Sequence, residues 1–199
     1  MHEECERVAA QVAPSFLINT VVDRRGRAVS IYAGHWRTAH RYGCADFTTA
    51  RTLPIREKRQ LVVASCGGWP KDINLIQAHK TLDAATLACA EGGTIVLAAE
   101  CAEGLGSTDF LKWFRGDNAE ALAQRLRGAF EVNGQTAWAL LTKAERYRVL
   151  LVSKLPPPDV LRMGLEPAES VEAALGRVAA TPGYIMPFGA SYLPAESDK

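Results

Sequence analysis

The chain has 199 residues, 48% hydrophobic and 23% charged, with 23 Lys and Arg against 22 Asp and Glu and a formal net charge of +1. That balance fits a globular protein with a sizeable core, built as one large domain or one domain with an appendage. Near-neutral charge with scattered Arg residues argues against nucleic-acid or anionic-membrane partners, and apolar runs such as IVLAA at 95–99 are far shorter than the ~20 residues of a membrane span.

The opening MHEECERVAAQV carries acids where a secretory signal would carry a basic and then an apolar region, so the cytoplasm is the expected compartment. Cys5, Cys44, Cys66, Cys89 and Cys101 are odd in number and form no C-x-x-C pair. They read as reduced thiols rather than zinc ligands or an exchange site. Cys66 and Cys101 follow apolar, strand-like runs, which suits buried structural thiols or a pocket wall.

In chain order, residues 3–13 read as a helix, and FLINTVV and RAVSIYA flank DRRG at 23–26, whose composition suits the turn of a β-hairpin. A short helical stretch near 35–42 follows. FTTARTLPIREKRQ at 47–60 is polar and contains a proline, and it sets an expected border near residue 55. Residues 1–54 are then an N-terminal helix and hairpin segment, the end of an upstream domain, and residues 55–199 a C-terminal α/β domain.

Beyond the border the rhythm becomes strand, helix, strand: QLVVAS at 60–65, INLIQAHKTLDAATLACA at 73–90, and TIVLAA at 94–99. Continuous apolar strands separated by an amphipathic helix predict a parallel sheet covered on both faces, with right-handed crossovers. Helical stretches at 108–115, 118–130 and 135–146 lead to a strand RVLLVSKL at 148–155, stopped by PPP, then to a helical ESVEAALGRVAA and a last strand around YIMPF. The expected fold class is α/β: a Rossmann-like open sheet, mostly parallel, with helices on both faces, plus a small N-terminal helix and β-hairpin appendage.

In such a sheet, ligands bind beyond the carboxyl ends of the strands. CGGWPKD and ECAEGLGS both leave that edge and are expected to share a crevice. Gly67 and Gly68 are costly to order; together they mark either a tight turn or a close approach of backbone to something else. The spacing is not G-x-G-x-x-G, which disfavours dinucleotide binding. Pro70 in the first helical turn and Asp72 as cap would leave free N–H groups facing the crevice, a welcoming place for an anion.

On the following helix, Leu75, Ile76, Leu82 and Leu87 define the expected core face, while Asn74, Gln77 and Lys80 or Thr81 lie on the other side. Lys80 offers a point charge with three donors, and Gln77 a donor and an acceptor one turn away, a set suited to a small hydroxy-carboxylate. The same positions also fit a solvated polar face. His35 and His40 are badly spaced for a shared metal, and His79 reads as a surface or core residue. Trp138, in GQTAWALLTKAERY, suits the core or a pocket wall.

CGGWPKDINLIQAHKTLDAA followed by EGGTIVLAAECAEGLG resembles the C-terminal region of the nickel-dependent lactate racemase family. A weaker likeness extends to HEECERVAAQV, FLINTVVD, AGHWRTAHRYG, GQTAWALL and RVLLVSKLP. The resemblance implies interconversion of the enantiomers of lactate or a related 2-hydroxy acid through hydride chemistry on a nickel pincer nucleotide. It implies that Lys80 meets the substrate carboxylate, that Gln77 is a neighbouring polar contact, and that Trp138 lines the site. One departure is Ile76, where the family commonly has a Tyr whose hydroxyl touches substrate. The family's catalytic histidines, nickel ligand and cofactor-anchoring lysine belong to a region upstream of everything matched here, so no catalytic residue or metal ligand is expected in this chain. The expectation is a fragment or split-enzyme half, inactive alone, that works with an N-terminal racemase domain in cis or in trans; the alternative is a non-catalytic small-acid binding module.

Overall fold

The computed structural model describes residues 2–23 and 26–197. The polypeptide divides into two compact units, one running as far as Thr52 and the other beginning at Leu53.

The first unit holds α1 (His2–Val12), an antiparallel hairpin of β1 (Leu17–Val22) and β2 (Ala28–Gly34), and α2 (Trp36–Arg51). The turn read over 23–26 includes residues 24 and 25, which lie outside the described residues. Tyr32 pins the hairpin to α2: its ring lies so close that a methyl group on Gly43 would sit 3.1 Å away, and its hydroxyl donates to the Asp46 carboxylate. On the helical side, Glu6 of α1 receives Arg41 at 2.9 Å and Arg37 at 3.6 Å. The second helix runs well past the expected 35–42. The hydroxyls of Thr49 and Thr52 donate to the carbonyls of Ala45 and Thr48 at 3.0 and 2.7 Å, so these polar residues are satisfied within the helix, and the chain leaves the helix just ahead of Pro54.

The second unit is built on a five-stranded, all-parallel sheet of β4 (Arg59–Ser65), β5 (Cys89–Ala98), β6 (Arg148–Val152), β7 (Glu166–Ala168) and β8 (Gly183–Met186), in the order β7-β6-β5-β4-β8. Alternate residues serve opposite faces. Val62, Ala64, Ile95, Leu97, Val149 and Leu151 pack under α3 (Leu75–Ala88), α4 (Ala119–Gly128), α5 (Gly134–Arg146) and α6 (Pro157–Arg162). Leu61, Val96 and Leu150 face the other way, onto Ala174 of α7 (Val171–Leu175). From β4 to β7 the chain steps in one direction, and only the return to β8 reverses it; right-handed connections require the reversing helix to lie on the opposite face, which is where α7 sits.

Three features differ from the sequence reading. A two-stranded ribbon of β3 (Thr52–Ile55) and β9 (Leu193–Glu196) closes the second unit. The stretch 108–115 is a short 3-10 turn, Phe110–Trp113, that buries both aromatics. The helix expected over 169–180 is only α7, ended after one turn and a half by Gly176. Cys66 and Cys101 are buried, as thiols after apolar strands should be, and Cys89, the first residue of β5, is buried as well.

Candidate functional site

The loops after β4 and β5 meet at the carboxyl edge of the sheet, and the backbone joins them closely. Cys101 N–H donates to Asp72 O at 2.9 Å and Glu103 N–H to Ile73 O at 2.8 Å, while the buried Asp72 carboxylate accepts from Glu100 N–H at 3.4 Å. Asp72 therefore ties one loop to the other and does not cap the helix. The cap is Asn74, whose side-chain oxygen accepts from Gln77 N–H at 3.0 Å.

The remaining amides at the helix start are also occupied. Leu75 N–H donates to Gly104 O at 3.1 Å and Ile76 N–H to Leu105 O at 3.3 Å. The free N–H groups expected to face the crevice are consumed by the second loop, so the start of α3 is not open to an anion.

The two glycines serve different needs. Both have φ of +84°, a left-handed conformation that favours glycine. A methyl group on Gly67 would stand 2.5 Å from the Phe188 ring, whereas one on Gly68 would meet open space. The close approach at Gly67 is thus to an aromatic side chain of the protein itself. Gly68 lines a crevice of about 410 Å³ with Ser65, Asp72, Glu100, Ser153 and Lys154.

Gln77 and Lys80 lie one turn apart on α3, and Lys80 Nζ donates to Gln77 Oε1 at 2.7 Å. Lys80 is exposed, in the second turn, and neither residue lines the crevice at the sheet edge. The buried face of this helix is Leu75, Ala78, Leu82 and Ala85. Leu87, expected there, is 40% exposed, and Ile76 packs partly buried against the core without any hydroxyl to offer. Trp138 is 40% exposed on α5; the structure shows no hydrogen bond or ring contact joining it to Gln77 or Lys80.

Spacing arguments did not find the polar joint between these two helices. His79 is buried, with Lys143 Nζ 3.1 Å from its Nε2 and Asp83 Oδ2 3.5 Å from its Nδ1. Burial pushes the imidazole down to about 4, against the upward pull of Asp83 and with further lowering from Lys143. The only local signal was His79 and Asp83 standing four apart on one helix; their partner is 64 residues away.

Residues 55–184 match the family model of the lactate racemase C-terminal domain. The lactate racemase of Thermoanaerobacterium thermosaccharolyticum is 35% identical over 115 residues, 58% of this chain and 27% of that protein. The lactate racemase of Lactiplantibacillus plantarum is 27% identical over 189 residues, 92% of this chain and 44% of that protein. Among solved structures, the lactate racemase apoprotein from T. thermosaccharolyticum matches with a TM-score of 0.90 and 26% identity, covering 98% of this chain and 49% of its own. A Thermotoga maritima protein matches with a TM-score of 0.69 at 16% identity, over 98% of this chain and 52% of its own, and shares the fold. The chain spans about half the length, or less, of the lactate racemases it matches. With the glycine loop, the capped α3 and four of the five parallel strands inside the matched span, the chain belongs to the lactate racemase family and carries that family's C-terminal domain.

Proposed function

We propose that this chain supplies the substrate-side face of a 2-hydroxy acid racemase or epimerase acting on lactate or a close relative. In this reading residues 55–199 are the substrate-side domain, residues 1–54 are the end of an upstream body, and the whole works in the cytoplasm. The observation that carries it is the Lys80–Gln77 pair: an exposed ammonium held at 2.7 Å by a neighbouring amide oxygen, at the two helix positions where the family resemblance places substrate contacts.

One of the three ammonium protons is engaged by Gln77, which leaves two for a carboxylate. The Gln77 amide N–H₂ group can then donate to the substrate's hydroxyl or carboxylate oxygen. Trp138 adds an apolar wall. Ile76 provides no hydroxyl, which favours a substrate with a larger or more apolar side chain than the family's usual acid. Among the described residues no three His, Cys, Asp or Glu side chains come together as a metal site. In this proposal the nickel pincer nucleotide implied by the resemblance is held by the N-terminal half, in cis or in trans. No helix among the described residues is long and apolar enough to cross a membrane.

The test is reconstitution with a cofactor-loaded N-terminal half of a lactate racemase. Lys80→Ala is expected to lower turnover of lactate at least 100-fold. Ile76 also favours a second reading, a small-acid binding module without chemistry, and turnover by the wild-type reconstituted complex would overturn that reading.

A further inference from the structure

Lys80 has a carboxylate within reach along its own helix and does not pair with it. Asp83 stands three residues further on, and side chains at that spacing are neighbours on a helix surface, with Cβ atoms about 5–6 Å apart. Both residues are exposed, the setting in which such a lysine and aspartate commonly form an ion pair. Instead the Lys80 ammonium reaches back along the helix, to the neutral amide oxygen of Gln77 at 2.7 Å. Among the described residues no carboxylate forms an ion pair with it.

The aspartate is already taken by α5. Asp83 Oδ1 accepts from Lys143 Nζ at 2.5 Å and Oδ2 lies 3.5 Å from His79 Nδ1, so both carboxylate oxygens have partners. Lys143 is equally committed: its Nζ also lies 3.1 Å from His79 Nε2 and donates to Ala139 O at 3.0 Å. An ammonium has three protons, and all three have acceptors here. The Lys143 side chain is only 13% exposed, and a pair so placed is screened less by salt than one at the open surface. Lys143 thus clamps Asp83 from the neighbouring helix, and the clamp leaves Lys80 out.

We propose that Lys143 is a positioning residue for the substrate site: by holding Asp83, it keeps the Lys80 ammonium available to an incoming carboxylate. The proposal rests on the reading of Lys80 and Gln77 as substrate contacts. Counting charge leads to the same place. Lys80 and Lys143 set two cations against the one anion of Asp83, with His79 neutral between them, and that positive surplus attracts a monocarboxylate. Without Lys143 the surplus is gone, and the released Asp83 both competes for Lys80 and repels the acid. A lysine on α5 therefore sets how strongly α3 holds its substrate, acting through Asp83.

The test removes the clamp at pH 8, where His79, titrating at about 4, is neutral. Lys143→Met and Lys143→Gln both delete the charge with little change of volume, so a folding defect in one leaves the other. In the full chain alone, the Lys80 side-chain resonance of lysine-labelled protein, assigned with Lys80→Arg, is expected to shift in either variant. It should return toward its wild-type position in the double variant Lys143→Met, Asp83→Asn. In the complex with a cofactor-loaded N-terminal half of a lactate racemase, loss of the clamp should raise KM for lactate about fivefold and leave kcat within about twofold of wild type. Adding Asp83→Asn should undo most of that rise, whereas a role in packing alone predicts a double variant no better than the single. The proposal is overturned by a Lys80 resonance indifferent to the loss of Lys143, by an unchanged KM, by a double variant as impaired as the single, or by two Lys143 variants that both fail to fold. A wild-type complex without turnover sinks the racemase reading alone and leaves the resonance to decide the clamp. Turnover with an unmoved resonance sinks the clamp alone.

Discussion

Lys143 and His79 join α5 to α3: the ammonium stands 3.1 Å from the imidazole Nε2 and 2.5 Å from Asp83 Oδ1. Nε2 must therefore be the accepting nitrogen, and Nδ1 carries the proton toward Asp83. The joint holds a neutral histidine between the helix that bears Gln77 and Lys80 and the helix that bears Trp138.

That histidine makes stability depend on pH. His79 titrates near 6.5 in the unfolded chain and at about 4 in the folded protein, so the unfolded state binds the proton more readily. Its contribution is complete above about pH 6.5 and declines as pH falls toward 4, by on the order of 3 kcal/mol. Urea unfolding at pH 7.5 and pH 4.5 should show a larger loss for wild type than for His79→Gln. Equal losses in the two proteins would mean that the imidazole is not held neutral.

The paired glycines make separate predictions. Gly68→Ala should cost about 1–2 kcal/mol, the penalty of a left-handed backbone with a side chain. Gly67→Ala bears the same penalty and must also displace the Phe188 ring, so its denaturation midpoint should fall clearly below that of Gly68→Ala. The reverse order would contradict the packing at this turn.

Thiol chemistry should divide the cysteines sharply. Cys5 and Cys44 are exposed, and Cys66, Cys89 and Cys101 are buried. Burial raises the Cys66 thiol and pushes Cys89 up to about 11 and Cys101 up to about 12, which suppresses the reactive thiolate. A chromogenic disulfide reagent at pH 8 should titrate the exposed pair quickly and the other three only in denaturant.

The side chains proposed to meet substrate should be nearly silent in stability. Lys80 is exposed and Trp138 is 40% exposed, so Lys80→Ala and Trp138→Ala should shift unfolding by no more than about 0.5–1 kcal/mol. In the reconstituted complex both should weaken lactate binding at least tenfold by calorimetry. Gln77→Met, which removes the oxygen that holds the ammonium, should weaken it by less than Lys80→Ala.

How much could be read in advance depended on distance along the chain. The strands at 60–65, 94–98 and 148–152 and the crossover helix announced themselves as apolar runs and a 3.6-residue period, both local signals, whereas the start of β5 at 89–93 read as the helix end and a glycine turn. TLPI, EPA and LPAE were invisible as strands, because each is short and contains proline, and each forms only by pairing with a distant partner. The Lys80–Gln77 contact was legible as three-residue spacing on a helix. The closure of that helix's start was not, since it depends on carbonyls of Gly104 and Leu105 about thirty residues away. The roles of Lys80, Gln77 and Trp138 came from resemblance to a family, and spacing alone favoured a solvated polar face for Gln77 and Lys80.

The bonding of the two edge loops has a mechanical consequence. With Asp72 bridged to Glu100, Ile73 to Glu103, and the first amides of α3 capped by Gly104 and Leu105, the glycine turn, the helix start and the neighbouring loop can only travel as one slab. Neither loop can fold down over a small guest as an independent flap. On the reading proposed above, capture and release then fall to motion of larger bodies, and mutations that soften this edge should scatter Lys80 among orientations rather than quicken an opening step.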